Sequence, residues 1–336
     1  MSNNRKVNLI FVFVLLAVLL SSLFILGEAS PKYTLNLAHI SDVEHPAHKG
    51  SLLFKQLVEE RTNGDVQIDI YPNSTLGDAP AYAEQMKLGA VDLGLVTSGQ
   101  LQLWVKEYAA VMIPFLFTSY EHAHRALDGP AGDLLAEMAE KEIGLMSLAN
   151  WEWGFEQTTN NKLPINSVKD IKGIKMRVPN EIQLMEMWKA LGANITLVDF
   201  SELYLALAQG VVDGQSNPLT TIYYHKFYEV QKYLAITNHV YNTQILMASK
   251  IIWNTLPEDI QRILKESAQV AGLYVRQISN LDDELLVKAC EEKGMVITYP
   301  DLAEFSSQMG PAIDAIAKFT GEEFTKEFVE LVKATQ

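Results

Sequence analysis

A single cysteine, Cys290, stands in a chain of 336 residues, so no internal disulfide can hold the fold together in any compartment. The sequence also lacks the short motifs of common chemistries. It has no Gly-x-Ser-x-Gly elbow, Walker loop, His-Glu-x-x-His pair or Gly-x-Gly-x-x-Gly turn. His45 with His48, and His122 with His124, have no Cys/His set nearby to complete a four-ligand zinc site, and read as surface or packing histidines. Cys290 falls on an apolar helical pattern, where a buried thiol is inert, and Glu59-Glu60 reads as a solvated helix face. No metal, cofactor or nucleophile–base set is indicated, which counts against an enzyme. Basic residues are few, 27 Lys and Arg against 41 Asp and Glu, for a formal charge of −14. So acidic a body repels nucleic acid and anionic lipid, and can hold an anion only with local cations.

What is present is ordinary globular composition: 48% hydrophobic and 20% charged residues, with 19 Gly and 12 Pro. The length suggests about two domains. Residues 1–29 read as an export signal: Arg5 and Lys6, an apolar stretch over 9–26, then Gly27-Glu28-Ala29 as a small-residue cleavage site. The apolar stretch is long enough that an uncleaved membrane anchor is the alternative. Either way the body is exported. No cysteine near the cleavage site provides for a lipid anchor. Without residues 1–29 the charge becomes −15.

The body starts as βαβ. Residues 33–40 alternate as a strand, 49–62 place Leu53, Leu57 and Val58 on one helical face before Gly64, and 65–71 alternate again before Pro72-Asn73. A helix over 79–88 stops at Gly89, and 92–96 is a short buried strand. The second half repeats this grammar: a strand over 173–178, a helix capped by Asn180 and stopped by Gly192, a strand over 194–198, and a helix capped by Ser201 and running to Gln209. KLGAVDLG (87–94) and AQGVVDGQ (208–215) echo each other, and suggest two similar α/β lobes with largely parallel sheets. From Pro257 to about Cys290 the apolar spacing stays helical, exceeding the usual length of a globular helix; it reads as two helices with an unmarked break or, preferred, as one long, kinked helix packed against both lobes. No low-complexity linker separates the lobes, so they exchange chain segments.

Arg177 lies in an otherwise apolar strand just before Val178-Pro179, where open α/β sheets place ligand groups. Its fork fits a carboxylate in bidentate fashion; an interlobe or surface salt bridge fits it equally well. GIKMRVPN (173–180), FSELYLAL (200–207), VDGQSNP (212–218) and KFYEVQKYLAITNH (226–239) resemble the solute-binding proteins of TRAP transporters, the tripartite ATP-independent periplasmic family, in its DctP-like subgroup. IYPNSTLGD (70–78), GAVDLGL (89–95), LPEDIQ (256–261) and YPDLAEF (299–305) extend the resemblance, in order, over nearly the whole mature chain.

The resemblance implies an α/β, two-lobe periplasmic binding protein fold, type II-like, closing on its ligand with a long helix bridging the lobes. Lobe I is expected to comprise 30–153 plus 243–282, and lobe II 154–242 plus 283–336. Arg177 would salt-bridge the substrate carboxylate, Asn217 would hydrogen-bond the same group, and Phe200 would pack on the ligand. Where many relatives carry a second arginine, in WEWGFEQTTNN (151–161), this chain has Glu156. In the cleft, Glu156 would repel a second carboxylate and favour a hydroxyl or ammonium group. Turned outward or paired with Arg177, it is structural. Trp151 and Trp153 line the pocket, stack on a cation, or are plain core. Thr97, Ser98 and Gln100 fall where relatives carry polar pocket residues, and their chemistry argues against sialic acid. His39 and Ser41, ending the first strand, are further candidates.

The expected function is a periplasmic receptor for a small carboxylate-bearing solute, a hydroxy acid, sugar acid or zwitterion, feeding a membrane-embedded TRAP permease. The expected receptor is a monomer with no catalytic residues, metal or cofactor. The competing readings are a receptor for a membrane sensor and, from another class, a secreted enzyme on the same scaffold.

Overall fold

The computed structural model describes residues 30–336, so the expected export segment lies outside the described residues. The first sheet contains β1 (Tyr33–Ala38), β2 (Val66–Tyr71), β3 (Leu93–Thr97), β4 (Leu145–Phe155) and β10 (Tyr241–Ser249), in the order β2-β1-β3-β10-β4. The second contains β5 (Gln157–Asn160), β6 (Lys175–Val178), β7 (Asn194–Leu197), β8 (Gly214–Asn217), β9 (Tyr233–Ala235) and β11 (Val296–Thr298), in the order β11-β9-β5-β8-β6-β7. The expected βαβ units are there, with β1 parallel to β2 and β3, and β6 parallel to β7 and β8. The chain changes sheets at Glu156, between β4 and β5, and again over 236–240, between β9 and β10. These two adjacent crossings are joined by a hydrogen bond from the Glu156 N–H to the Val240 carbonyl, 2.9 Å.

The first sheet is buried on both faces. One side carries Phe54, Val58, Leu246, Leu264, Ala268 and Val275, beneath the helix Pro46–Arg61 and the helix Glu258–Glu292. The latter runs 35 residues without a break, about 50 Å at 1.5 Å per residue. It packs on β4 and the helix Pro46–Arg61 of the first lobe, and on the helix Leu219–Tyr224 and β11 of the second, as the long apolar period predicts. Gly50 and Gly272 bring these parts close. A Cβ at Gly50 would sit 2.2 Å from Val275 Cγ2, and one at Gly272 would sit 2.7 Å from the Trp151 ring.

The end of the chain departs from the expected division, which put 283–336 wholly in lobe II. The helix Glu322–Lys333 turns Phe328 and Val332 into the core under the first sheet, with Ala123, Ala126 and Leu135. His122 Nε2 lies 2.9 Å from the Val332 carbonyl. The cause is its apolar stripe, which closes a core that the helices Tyr120–Leu127 and Pro130–Ile143 leave open on one side.

Candidate functional site

β6 delivers Arg177 to the interlobe cleft. The side chain is 4% exposed, and its Nε donates to the Val198 carbonyl at 2.8 Å, which fixes the plane of the guanidinium. Among the described residues its Nη atoms make no hydrogen bond. β8 ends at Ser216 and Asn217 beside it, and the Asn217 amide donates to Gln215 Oε1. Glu156, at the sheet crossing, accepts from Ser216 Oγ at 2.5 Å and has the neutral ring of His239 at 3.9 Å. From the first lobe come Thr97 and Gln100, whose side chains bond each other at the start of the short helix Ser98–Leu101, and Asn242 from β10. Together with Ile40, Trp153, Pro179, Glu181, Leu184 and Phe200 these residues line one cavity of about 30 Å³. That is room for only a few water molecules.

Burial dominates the electrostatics. It pushes the Glu156 carboxyl up to about 7, against the pull of Ser216 and Arg177. It pushes Glu181 up to about 8, helped by the neighbouring Glu156 charge and opposed by Arg177. Arg177 is lowered to about 10 by burial, while Glu181 and Glu156 hold it up, and it stays cationic at neutral pH. The site therefore offers one permanent cation and two carboxyls that exchange protons near neutrality.

Of the residues expected from the sequence, Arg177, Asn217, Glu156, Phe200, Trp153, Thr97 and Gln100 meet at this cavity. Trp151 does not. It is fully buried under the long helix and donates Nε1–H to the Ala268 carbonyl at 2.9 Å. Two residues apart on a strand, the two tryptophans should share a face. The ladder between β4 and β10 slips at this point, Asn242 pairing with Gly154 and Thr243 with Glu152, so Trp153 is the extra residue of a bulge and is turned to the other side. Gly154 makes this possible, with φ at 123°. Ser98 is one step removed, its hydroxyl donating to Asn242 Oδ1 at 2.7 Å. His39 and Ser41 are buried off the cavity, His39 Nε2 lying 3.1 Å from His48 Nδ1.

Asn180 does not cap the next helix. That position falls to Glu181, because the chain stays extended one residue longer, and the Asn180 carbonyl accepts from Gln102 Nε2 of the other lobe at 3.0 Å. Ser201, also expected as a cap, instead reaches across to Asp78 Oδ2 at 2.8 Å.

Glu181, Ser216 and Asn242 were not foreseen. Ser216 adjoins Asn217 in VDGQSNP and could have been found by proximity. Asn242 becomes visible only once β10 is known to pair with β3.

Ile40 and Phe200 also line a second cavity of about 330 Å³ at the cleft mouth, with Asp42, Asn73, Ser74, Tyr204 and His225. The lobes meet here through the Asp42 N–H, which donates to His225 Nε2 at 3.4 Å.

Two crossing strands, two α/β lobes and a charged cavity between them define a ligand-trapping protein of the hinged two-lobe class. The comparisons narrow this. The model for bacterial extracellular solute-binding protein, family 7 (DctP), matches residues 37–319, and the chain belongs to that family, the solute-binding proteins of TRAP transporters, which are receptors and not enzymes. The sialic acid-binding periplasmic protein SiaP of Vibrio cholerae is 35% identical over 274 residues, 82% of this chain and 84% of the relative. The sugar acid binding protein DctPAm of Advenella mimigardefordensis, solved with galactonate, superposes with a TM-score of 0.88 at 28% identity, covering 91% of this chain and 99% of that one. A TRAP periplasmic solute-binding protein from Polaromonas, bound to D-erythronate, gives 0.85 at 33% identity, covering 88% and 98%.

Proposed function

We propose that the chain is a periplasmic receptor which captures a small carboxylate-bearing solute by hinge closure and hands it to a TRAP permease. The observation that carries this reading is the Arg177 guanidinium, buried between the lobes, held by one hydrogen bond through Nε, with both Nη atoms left for a ligand. A carboxylate there receives two parallel charge-assisted bonds in a dry site, far stronger than a surface pair. Asn217 adds a donor beside it, and Trp153 and Phe200 supply an apolar wall. Galactonate and D-erythronate, bound by the similar structures, are monocarboxylates of the size this cleft would take once opened. Binding to both lobes at once favours the closed state over the open one, and closure is then the signal that the permease reads.

The test is thermal shift of the mature protein against sugar acids, hydroxy acids, dicarboxylates and zwitterions, repeated with Arg177→Ala. Saturation at 100 times the dissociation constant adds about 2.7 kcal/mol. A rise in melting temperature with one class of monocarboxylate, absent in the variant, supports the reading. Equal rises in both proteins would falsify the carboxylate clamp. Deletion of the gene should abolish uptake of that solute.

A further inference from the structure

Glu181 stands apart from the other residues of the cleft. It precedes the helix Ile182–Ala190 at the cap position, yet its carboxyl makes no bond to the helix N–H groups, the usual use of an acidic residue there. It is 4% exposed and lines the same cavity as Arg177 and Glu156, and among the described residues no side-chain hydrogen bond of its carboxyl is seen, its N–H bonding the Pro179 carbonyl instead. Glu156 is differently placed, already engaged by Ser216. The opposite lobe has made room for Glu181. Gly99 faces it, and a Cβ on that glycine would lie 2.2 Å from Oε2. A buried carboxyl without a partner is costly, and the protein keeps this one at its closing surface.

Charge counting shows what would satisfy it. A simple hydroxy or sugar acid, its carboxylate paired with Arg177, brings no cation to the two carboxyls, which stay uncharged only by keeping their protons. A solute with an ammonium group as well as a carboxylate brings no net charge and places a cation where the unpartnered carboxyl lies. The rings of Trp153 and Phe200 border the same space, and aromatic faces attract cations.

We propose that Glu181 is the counter-ion for an ammonium group of the ligand, so that the cleft prefers a zwitterion, an amino acid or amino sugar acid, over the corresponding hydroxy acid. This rests on the reading that Arg177 holds a carboxylate. Glu181 acts on the ligand directly, while Glu156 is already engaged by Ser216.

The test is calorimetry on the mature chain at pH 7.5 with matched pairs differing in one group: 2-amino-2-deoxygluconate and gluconate, threonine and 2,3-dihydroxybutanoate, 4-aminobutanoate and 4-hydroxybutanoate. At least one amino member should bind about 30-fold tighter than its partner, the low end for a buried charge pair. In Glu181→Gln that ratio should fall towards one. Glu181→Asp, which keeps the charge, should retain the preference. Repetition in buffers of different ionisation enthalpy should show proton release with the amino ligand, as Glu181 ionises. Hydroxy acids binding as tightly as their amino partners, or a ratio unchanged in Glu181→Gln, overturns the inference and leaves the receptor standing. Undiminished binding in Arg177→Ala, or silence of every pair with no co-purified solute by mass spectrometry, overturns the underlying reading and this inference with it.

Discussion

Asp92 in the first lobe and Asp213 in the second hold equivalent places. Each follows a glycine with positive φ, Gly89 at 73° and Gly210 at 68°, and each carboxylate accepts from a backbone N–H of a neighbouring strand, that of Asn36 at 2.7 Å and that of Lys175 at 3.0 Å. The strands that follow them, β3 and β8, both end at the cleft, in Thr97 and Asn217. Here the likeness stops. The first lobe presents Thr97, Gln100 and Asn242, all neutral, and the second presents Arg177 and Glu181, with Glu156 at the crossing. On the proposed function the two similar lobes would divide recognition between them, the second reading charge and the first closing over what charge has selected.

That division can be broken or sharpened by experiment. The largest effect is expected for Arg177→Ala, a loss of affinity of about 3 kcal/mol or more by calorimetry, against about 1 kcal/mol for Asn242→Ala in the first lobe. Equal losses would end the distinction. Glu156→Arg should shift preference towards diacids, seen in a ligand panel, while an unchanged profile would remove Glu156 from the recognition set. The tryptophans supply an internal control. Trp151→Ala should cost about 3–5 kcal/mol of stability in denaturant melts, whereas Trp153→Ala should act chiefly on affinity.

The pH dependence is smaller and has two limbs. Glu156 and Glu181 ionise near 4.5 when unfolded but only at about 7 and about 8 in the fold, so they remove stability as pH rises through that window. His39, His225 and His239 protonate near 6.5 when unfolded but only at about 3, about 4 and about 3 in the fold, and His45 is likewise depressed by burial. Stability is therefore lost as pH falls below 6.5, four histidines outweighing two carboxyls where the windows overlap. The melting temperature should peak near pH 6.5 and fall by a few degrees towards pH 8. Glu181→Gln should flatten that upper limb. The smallest effect belongs to Ser201→Ala, which removes the exposed bond to Asp78 across the cleft and should weaken binding by about 0.5–1 kcal/mol.

Much of this was legible in the sequence. Alternation and helical period place the βαβ units and the long helix within a few residues, because the helices bury one face each and outer strands such as β2 alternate between buried and half-buried residues. Arg177 is visible because a charge in an apolar strand needs a reason. Trp151 and Trp153 were not separable, since a bulge that flips one of them depends on how β10 pairs, which no local pattern encodes. Glu181 was hidden for a related reason: a glutamate near a helix start is ordinary, and only the facing Gly99, brought there by lobe closure, makes it unusual.

The interleaving of the lobes bears on how the molecule comes into being. β10 lies between β3 and β4 in the first sheet, yet β5 to β9, all strands of the second sheet, separate it from β4 along the chain. A nascent or newly exported chain that ends before Tyr241 leaves β3 and β4 without the strand that joins them, and cannot finish one lobe before beginning the other. Assembly is then governed by long-range pairing, which is slow and leaves sticky edges exposed. Folding of either lobe should therefore wait until the last third of the chain has arrived.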